Sequence, residues 1–372
     1  MESLRDFYRV TGDPYGYARE LKSTGKHLIG YFCSYTPEEI IHAAGAHPLR
    51  LFGTTEEISR ADAHLQSYSC SLVRSALEDA LSGNLDFLDG TVFPHTCDSI
   101  QRLSDIWRLN TGFSFFADVV FPVKLNGEGS RRYMVAVLER FRADLGRGLG
   151  MDISDSALRA SCKLFNDIRH ALKTLYELRS RNPAAISGRD MDTVVRASMI
   201  MERQEFLERI TALLEELKMA GEPASRDGRK RLILAGSICN HPDIFKVIEE
   251  SGGVVVWDDL CTGTRSFEGI IDDGPDPVVS LADRYATRLV CPAKHISNTA
   301  RGDALVKMVR EHQAGGVVFL LIKFCDPHAF DYPYLKEFLE RERVPAMLLE
   351  IEDRLPSEGQ LRTRFETFVE TI

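Results

Sequence analysis

The eight cysteines are the residues of this 372-residue chain whose type and spacing could do chemistry. The N-terminus lacks the basic start and apolar core of a signal peptide, so we expect a cytoplasmic protein. Disulfides do not persist in a reducing compartment, which leaves each thiol as buried packing, a catalytic group or a metal ligand. No C-x-x-C pair occurs, and this argues against a zinc ribbon, a thioredoxin-type site or compact ferredoxin spacing. A metal cluster would need cysteines that folding brings together.

Six cysteines lie where an apolar, strand-like run ends or a helical pattern begins. They are Cys33, Cys70, Cys97, Cys261, Cys291 (after Leu289 and Val290) and Cys325. Ligands of open parallel sheets bind beyond the carboxyl ends of the strands, where helix N-termini favour negative charge and lower thiol pKa. We therefore expect these six to supply thiolates to one crevice. Each has core packing as its alternative, and packing is the prediction for Cys162 and for Cys239.

The elements that would position these thiols alternate between strand and helix in both halves of the chain. Strands are predicted at 27–32, 49–52, 91–93, 119–123, 232–235, 254–257, 317–324 and 346–350. Helices are predicted at 40–44, 71–81, from Asp98, and at 243–251, 301–312 and 334–342, with Thr36, Pro37 and Glu39 matching a capping box before the first of them. This alternation implies right-handed crossovers and parallel sheets.

The predicted fold class is α/β, with two Rossmann-like parallel-sheet domains joined by a helical segment. An N-terminal α/β domain, 1–132, would carry Cys33, Cys70 and Cys97. A helical connector or cap, 133–228, has one break near Asn182 and ends in a polar linker at 221–230. A C-terminal α/β domain, 229–372, would carry Cys261, Cys291 and Cys325.

Composition excludes two classes of partner. The net charge is −9 and no long basic block occurs, which argues against nucleic-acid binding. No window approaches the eighteen or so consecutive apolar residues of a membrane span. We expect a protein with neither a nucleic-acid nor a membrane partner.

Five segments together resemble the 2-hydroxyacyl-CoA dehydratase and benzoyl-CoA reductase superfamily over nearly the whole chain. They are GYFCSYTPEEIIHAAGAHPLRLFG at 30–53, YSC at 68–70, PHTCD at 94–98, KFCDP at 323–327 and GQLRTR at 359–364. The resemblance implies three cysteines per subunit that hold a [4Fe–4S] cluster. Carried over by motif, these are Cys70, Cys97 and Cys325, and they leave one iron open.

Cys33, Cys261 and Cys291 are additional to that set. Three plus three suits two cubanes in one subunit, which is most like the double-cubane cluster protein branch of the superfamily with its [8Fe–9S] group. The alternative is a single [4Fe–4S] cluster and three ordinary thiols, as in a dehydratase or reductase subunit.

The resemblance also implies a function and its partners. Electrons of low potential would come from a separate ATP-hydrolysing activator that carries its own [4Fe–4S] cluster; this chain has no P-loop and no dinucleotide fingerprint. We expect an oxygen-sensitive, homodimeric iron–sulfur reductase of a small molecule. The alternatives are a subunit of a 2-hydroxyacyl-CoA dehydratase (a lyase) or of benzoyl-CoA reductase, which would pair with an unlike subunit, and a non-enzymatic scaffold.

Two histidines are candidate catalytic proton donors. His95 lies two residues before Cys97, and His328 lies three after Cys325. Either could protonate a reduced substrate, with a structural role as the alternative. Arg74 and Arg265 could neutralise thiolates or bind anions, with surface ion pairing as the alternative.

Overall fold

The fold is α/β and contains two four-stranded parallel sheets, as the sequence predicts. The computed structural model describes residues 2–54, 56–221, 228–241, 243–288, 291–352 and 355–372. Most of the predicted linker and both residues before Cys291 lie outside these ranges. Among the described residues, no helix is both long enough and apolar enough to cross a membrane.

The two sheets have the same topology. The first consists of β1 Leu28–Tyr31, β2 His47–Arg50, β3 Gly90–Phe93 and β4 Phe115–Asp118, in the order β2-β1-β3-β4. The second consists of β5 Lys230–Gly236, β6 Gly253–Asp259, β7 Gly316–Ile322 and β8 Ala346–Ile351, in the order β6-β5-β7-β8. In each, the strand order reverses beside the first strand, and such a switch point is where α/β sheets bind ligands.

The helices fall into three groups along the chain. Those associated with the first sheet are α1 Arg5–Gly12, α2 Pro14–Ser23, α3 Glu38–Ala43, α4 Ser71–Leu81 and α5 Asp98–Asn110. The helical segment contains α6 Ser130–Leu149, α7 Asp155–Arg181, α8 Gly188–Ser198 and α9 Arg203–Met219. The rest are α10 Asp243–Glu250, α11 Thr264–Phe267, α12 Pro277–Thr287, α13 Ala300–Glu311, α14 Asp326–Arg341 and α15 Glu358–Glu370.

The strand predicted at 119–123 is wrong. The fourth strand lies just before it, because Phe115 pairs with Gly90. A β-carbon at Gly90 would lie 2.5 Å from the Phe115 carbonyl oxygen, so the glycine permits this close pairing. The apolar run after β4 still packs inward, with Val119 and Phe121 in the core, but without strand pairing.

The predicted capping box is also wrong. Pro37, not Thr36, is the N-cap of α3, and no side chain caps this helix end. The Glu39 carboxylate instead binds Arg169 on α7. A distant buried arginine competes successfully with a local backbone N–H because a charged partner binds a carboxylate more strongly than a neutral donor does.

The helical segment is more divided than predicted and is integral to the packing. It has three breaks, where one near Asn182 was expected. One apolar core runs from α1 through the helical segment to α15, and α12 packs against α6. The domain boundaries at 132 and 228 stay a prediction, since the two sheets share this core.

Candidate metal centre

Three of the six cysteines occupy the same position relative to a helix. Cys70 is the N-cap of α4, Cys97 of α5 and Cys325 of α14. The first-turn N–H groups of a helix have no intrahelical partners and carry the positive end of the helix dipole. The helix end therefore offsets part of the cost of a buried thiolate at each of these positions, although burial outweighs it and raises the pKa of Cys97 and Cys325.

The other three cysteines lie in loops. Cys33 and Cys261 come two residues after β1 and β6, and Cys33 Sγ accepts from Thr96 Oγ1 at 3.7 Å. Cys291 Sγ accepts from the backbone N–H of Ala293 at 3.3 Å. Cys33 and Cys97 follow β1 and β3, and they thus flank the switch point of the first sheet.

The thiols of the two halves act on one another electrostatically. Burial, followed by the charges of Cys70, Cys33 and Cys291, raises the pKa of Cys97. Burial, followed by Cys70, Cys261 and Cys97, raises the pKa of Cys325 well above its usual value. Burial, followed by Cys261, raises the pKa of Cys291 to about 12. Every one of the six appears in this set of mutual effects, so thiols from both sheets lie within electrostatic range of one another.

Cys162 and Cys239 do not share in these effects. Burial, followed by Glu39, raises the pKa of Cys162 to about 12. Burial, followed by Asp192, raises the pKa of Cys239. Their electrostatic neighbours are carboxylates and arginines, not thiols, which agrees with the predicted packing role. None of the eight cysteines, all of which are described, forms a disulfide.

Buried cations surround the thiols. Arg265, only 2% exposed, donates to Cys261 Sγ at 3.2 Å and to Asp259 at 2.9 Å. Arg288 donates to Ser34 Oγ, beside Cys33, at 3.2 Å, and Lys294 donates to the Phe121 carbonyl at 2.8 Å. Burial alone would lower the pKa of Arg265, but Asp259, Cys261 and Cys291 raise it. These positive charges offset the negative charge of clustered thiolates.

The sequence interpretation considered Arg265 but missed Arg288 and Lys294. A signal was present, since the two cations lie three residues on either side of Cys291. Arg74, the other arginine considered, makes an ion pair with Asp62 at 2.9 Å.

The two candidate proton donors differ in their surroundings. His95 Nε2 lies 2.8 Å from Asp118 Oδ1, and Asp118 also accepts from Ser104. His328 is buried, with its Nε2 3.3 Å from Arg265 Nη2. Burial, followed by Arg265 and Arg301, holds the pKa of His328 well below its usual value. His95 is partly exposed and oriented by a carboxylate, whereas His328 is a neutral ring beside an arginine.

The donors at this site are thiols with buried cations beside them. Among the described residues, no three His, Cys, Asp or Glu side chains converge closely enough to hold one metal ion. The thiolates of a cubane bind different irons and need not share one point. Buried Nε atoms of Arg265 and Arg288 also lack hydrogen-bond partners. Thiols with buried, incompletely bonded arginines beside them suit an anionic group with sulfur acceptors.

A cavity of about 240 Å³ opens beside Ser71, the residue that follows Cys70. Its lining includes Ser71 at the start of α4, Arg196 on α8, Asn240 after β5 and Glu352 after β8. Asn240 Oδ1 is buried there without a hydrogen-bond partner.

The fold and the site define an α/β protein of two like sheets, with cysteines contributed from both to one region. Comparison with known families makes the assignment specific. Residues 33–372 match the family described as 2-hydroxyglutaryl-CoA dehydratase, D-component, and the chain belongs to this family. The resemblance drawn from the sequence is confirmed at the level of the superfamily.

Related proteins are subunits of dehydratases and reductases. The chain is 29% identical to the (R)-phenyllactyl-CoA dehydratase beta subunit of Clostridium sporogenes, over 99% of this chain and 98% of the relative. It is 31% identical to a benzoyl-CoA reductase subunit of Thauera aromatica, over 95% of this chain and 94% of the relative. It is 25% identical to the (R)-2-hydroxyglutaryl-CoA dehydratase beta subunit of Acidaminococcus fermentans, over 99% and 98%.

Proposed function

We propose that this chain is an iron–sulfur reductase that receives low-potential electrons from an ATP-hydrolysing activator and reduces a small molecule at a double-cubane [8Fe–9S] cluster. The six mutually acting thiols are the observation that carries the proposal. Six thiols match two cubanes that each require three cysteines. A single cubane would leave three further thiols in the same electrostatic neighbourhood without a role.

The residues around the thiols have separate tasks in this proposal. Cys33, Cys70, Cys97, Cys261, Cys291 and Cys325 hold the cluster, which supplies the electrons for reduction when bound. Arg265, Arg288 and Lys294 offset its negative charge. The small molecule approaches through the cavity beside Cys70.

Proton delivery falls to His95 in preference to His328. Asp118 orients the His95 ring through a 2.8 Å contact, and a partly exposed ring can exchange its proton with water. His328 faces Arg265, and a neutral ring in that position accepts a hydrogen bond and has no cationic proton to give. We propose His95 as the donor and His328 as a partner that positions Arg265.

The proposed partners follow from this division of tasks. The activator, with its own [4Fe–4S] cluster, docks to deliver electrons, and the chain forms a homodimer in the cytoplasm. Neither a nucleic acid nor a membrane is a partner in this proposal, in keeping with the net charge of −9.

A second function is favoured by the names of the relatives. Several are beta subunits of enzymes that act on CoA thioesters. The chain would then hold one [4Fe–4S] cluster through Cys70, Cys97 and Cys325. It would pair with an unlike subunit to dehydrate a 2-hydroxyacyl-CoA or, like the relative from benzoyl-CoA reductase, to reduce a ring.

Iron and acid-labile sulfide analysis after anaerobic purification separates these functions. The proposed function gives about eight iron atoms per chain, and the second gives about four. Size-exclusion chromatography shows whether the chain associates with itself. A chain that contains no iron after anaerobic purification and reconstitution would overturn both functions.

A further inference from the structure

Two loops at the switch point of the first sheet lie side by side. β1 and β3 pair in parallel, with Tyr31 opposite Val92. The loops that follow these strands therefore leave the sheet at the same edge. Cys33 lies two residues beyond β1, and Thr96 lies three residues beyond β3. Side chains of the two loops are thus within reach of each other.

The Thr96 hydroxyl connects the two loops. Its Oγ1 donates to Cys33 Sγ at 3.7 Å, and the bond is partly buried. The next residue, Cys97, is the N-cap of α5. In the function proposed above, Cys97 belongs to the set of cysteines carried over by motif and Cys33 to the additional set. Two successive residues therefore serve thiols of both sets.

The usual role of a threonine at the start of a helix does not account for Thr96. Hydroxyl side chains there commonly accept from first-turn N–H groups, as Ser154 does for α7 and Ser187 for α8. At α5 the cap position is taken by Cys97, and no side chain caps this end. The Thr96 hydroxyl has one proton to donate, and it goes to sulfur. Because Thr is β-branched, few rotamers are open to it and the direction of this donor is well defined.

The other two additional cysteines also accept hydrogen bonds at sulfur. Arg265 donates to Cys261 Sγ at 3.2 Å, and the backbone N–H of Ala293 donates to Cys291 Sγ at 3.3 Å. A neutral thiol is a weak acceptor, so donors directed at all three of these sulfurs exceed what core packing requires. A thiolate, the form that binds metal, gains much more from such donors.

Thr96 is the donor whose removal changes least else in the structure. Arg265 also pairs with buried Asp259, so its loss disturbs the fold. The Ala293 donor is a backbone group that a side-chain substitution does not remove. Within the described residues, the Thr96 hydroxyl makes a hydrogen bond with Cys33 Sγ and with no other atom.

We propose that Thr96 positions Cys33 and, through its O–H···S bond, raises the reduction potential of the cubane that Cys33 helps to hold. Hydrogen bonds to sulfur act in this direction because the reduced form carries more negative charge and gains more from a donor. This role rests on the proposed function, since it requires Cys33 as a ligand. Thr96 is not itself a ligand and acts only through Cys33.

Anaerobic redox titration of the reconstituted full-length protein, followed by electron paramagnetic resonance, tests this role. Titanium(III) citrate supplies the electrons in steps. Thr96→Val has nearly the same shape without the donor, and we expect its equilibrium constant for one-electron reduction to fall at least about three-fold. This fall lowers the midpoint potential by about 28 mV, since a tenfold change corresponds to about 59 mV. Thr96→Ser keeps the hydroxyl and should titrate like the wild type.

Two results would overturn the proposal. One is an unchanged midpoint potential in a Thr96→Val protein that retains the iron content of the wild type. The other is an equal change in both variants, because Thr96→Ser keeps the donor. Iron content gives a second measure of positioning: loss from Thr96→Val alone supports the role, and loss from both variants contradicts it.

Thr111→Val, at the other end of α5, is the matched control. Its hydroxyl donates to the Trp107 carbonyl at 2.9 Å, so the change removes a hydroxyl from the same helix without affecting a thiol. Its midpoint potential should equal that of the wild type, and a shift as large as that of Thr96→Val would contradict the role. Iron analysis of the wild type separates this role from the proposed function. About eight irons with an unaffected Thr96→Val potential contradict the role alone, whereas about four contradict the double cluster and the role with it.

Discussion

The Arg265 guanidinium donates to Cys261 Sγ at 3.2 Å while it also pairs with Asp259 at 2.9 Å. Both charged residues are almost completely buried. The arginine therefore connects a carboxylate at the end of β6 with the thiol that follows it, and its position does not depend on solvent.

Replacement of Arg265 should destabilise the fold strongly. Arg265→Met leaves Asp259 with Arg301 alone and removes the donor to Cys261. We expect a loss of about 3–5 kcal/mol in the free energy of unfolding, as for other buried pairs that lose one partner. Urea denaturation measures it. Arg362→Met, which removes an exposed pair with Glu250, is the control and should cost under about 1 kcal/mol. Similar losses in both variants would contradict the role of burial.

Substitution of single cysteines should divide the eight into two groups. Each of Cys33, Cys70, Cys97, Cys261, Cys291 and Cys325, changed to Ser, should lose iron in anaerobic preparations. Cys162→Ser and Cys239→Ser, at buried positions that no thiol influences, should keep it. Iron that survives the changes at Cys33, Cys261 and Cys291 would support the single-cluster alternative.

Glu39 should stabilise the protein only above its titration range. Burial would raise the pKa of Glu39, but Arg169 and Arg284 outweigh it and lower the pKa. A lowered folded pKa gives stability that is present above the unfolded value of about 4.3 and is lost as the pH falls further. The Glu39→Gln variant should therefore have a lower free energy of unfolding than the wild type. This difference, measured by urea denaturation, should be largest near neutral pH and shrink in acid. Glu20→Gln, at an exposed pair, should show no such trend.

The contribution of Asp192 to stability should depend on pH in the opposite direction. Burial, with Asp258 opposing Arg196, raises the pKa of Asp192 to about 7, and its Oδ2 has no hydrogen-bond partner. A raised folded pKa favours the protonated acid, so the wild type loses stability as the pH rises from about 4 to about 7. Asp192→Asn should stabilise the protein by a few kcal/mol more at about pH 8 than at about pH 4. Exposed Asp152→Asn is the control, and an equal gain at both pH values would refute the expectation.

The sequence predicted those parts of the fold that local pattern determines. The short apolar runs at β1, β3 and β5–β8 and the helices that follow Cys70 and Cys97 have strong local signals, and these predictions are confirmed. The identical strand order of the two sheets was not foreseen, because no repeat is visible in the residues themselves.

The sequence pattern does not show which residues far apart in the chain form ion pairs or pair as strands. Glu39 has every local feature of a capping residue, and its partner lies 130 residues away on α7. Val119 and Phe121 are as apolar as a strand requires, and only the close approach of Phe115 to Gly90 decides which run pairs. At the candidate site, junction positions pointed to the thiols, whereas the places of Arg288 and Lys294 depend on how the chain folds back after α12.

The division of the thiols between two sheets constrains how the protein matures. Cys33 emerges from the ribosome well before Cys325. Any group that both sets of cysteines hold can be inserted only after Cys325 has been synthesised and the second sheet has packed beside the first. Until then the nascent chain carries exposed thiols, and it must be shielded from oxidants and from stray metal ions.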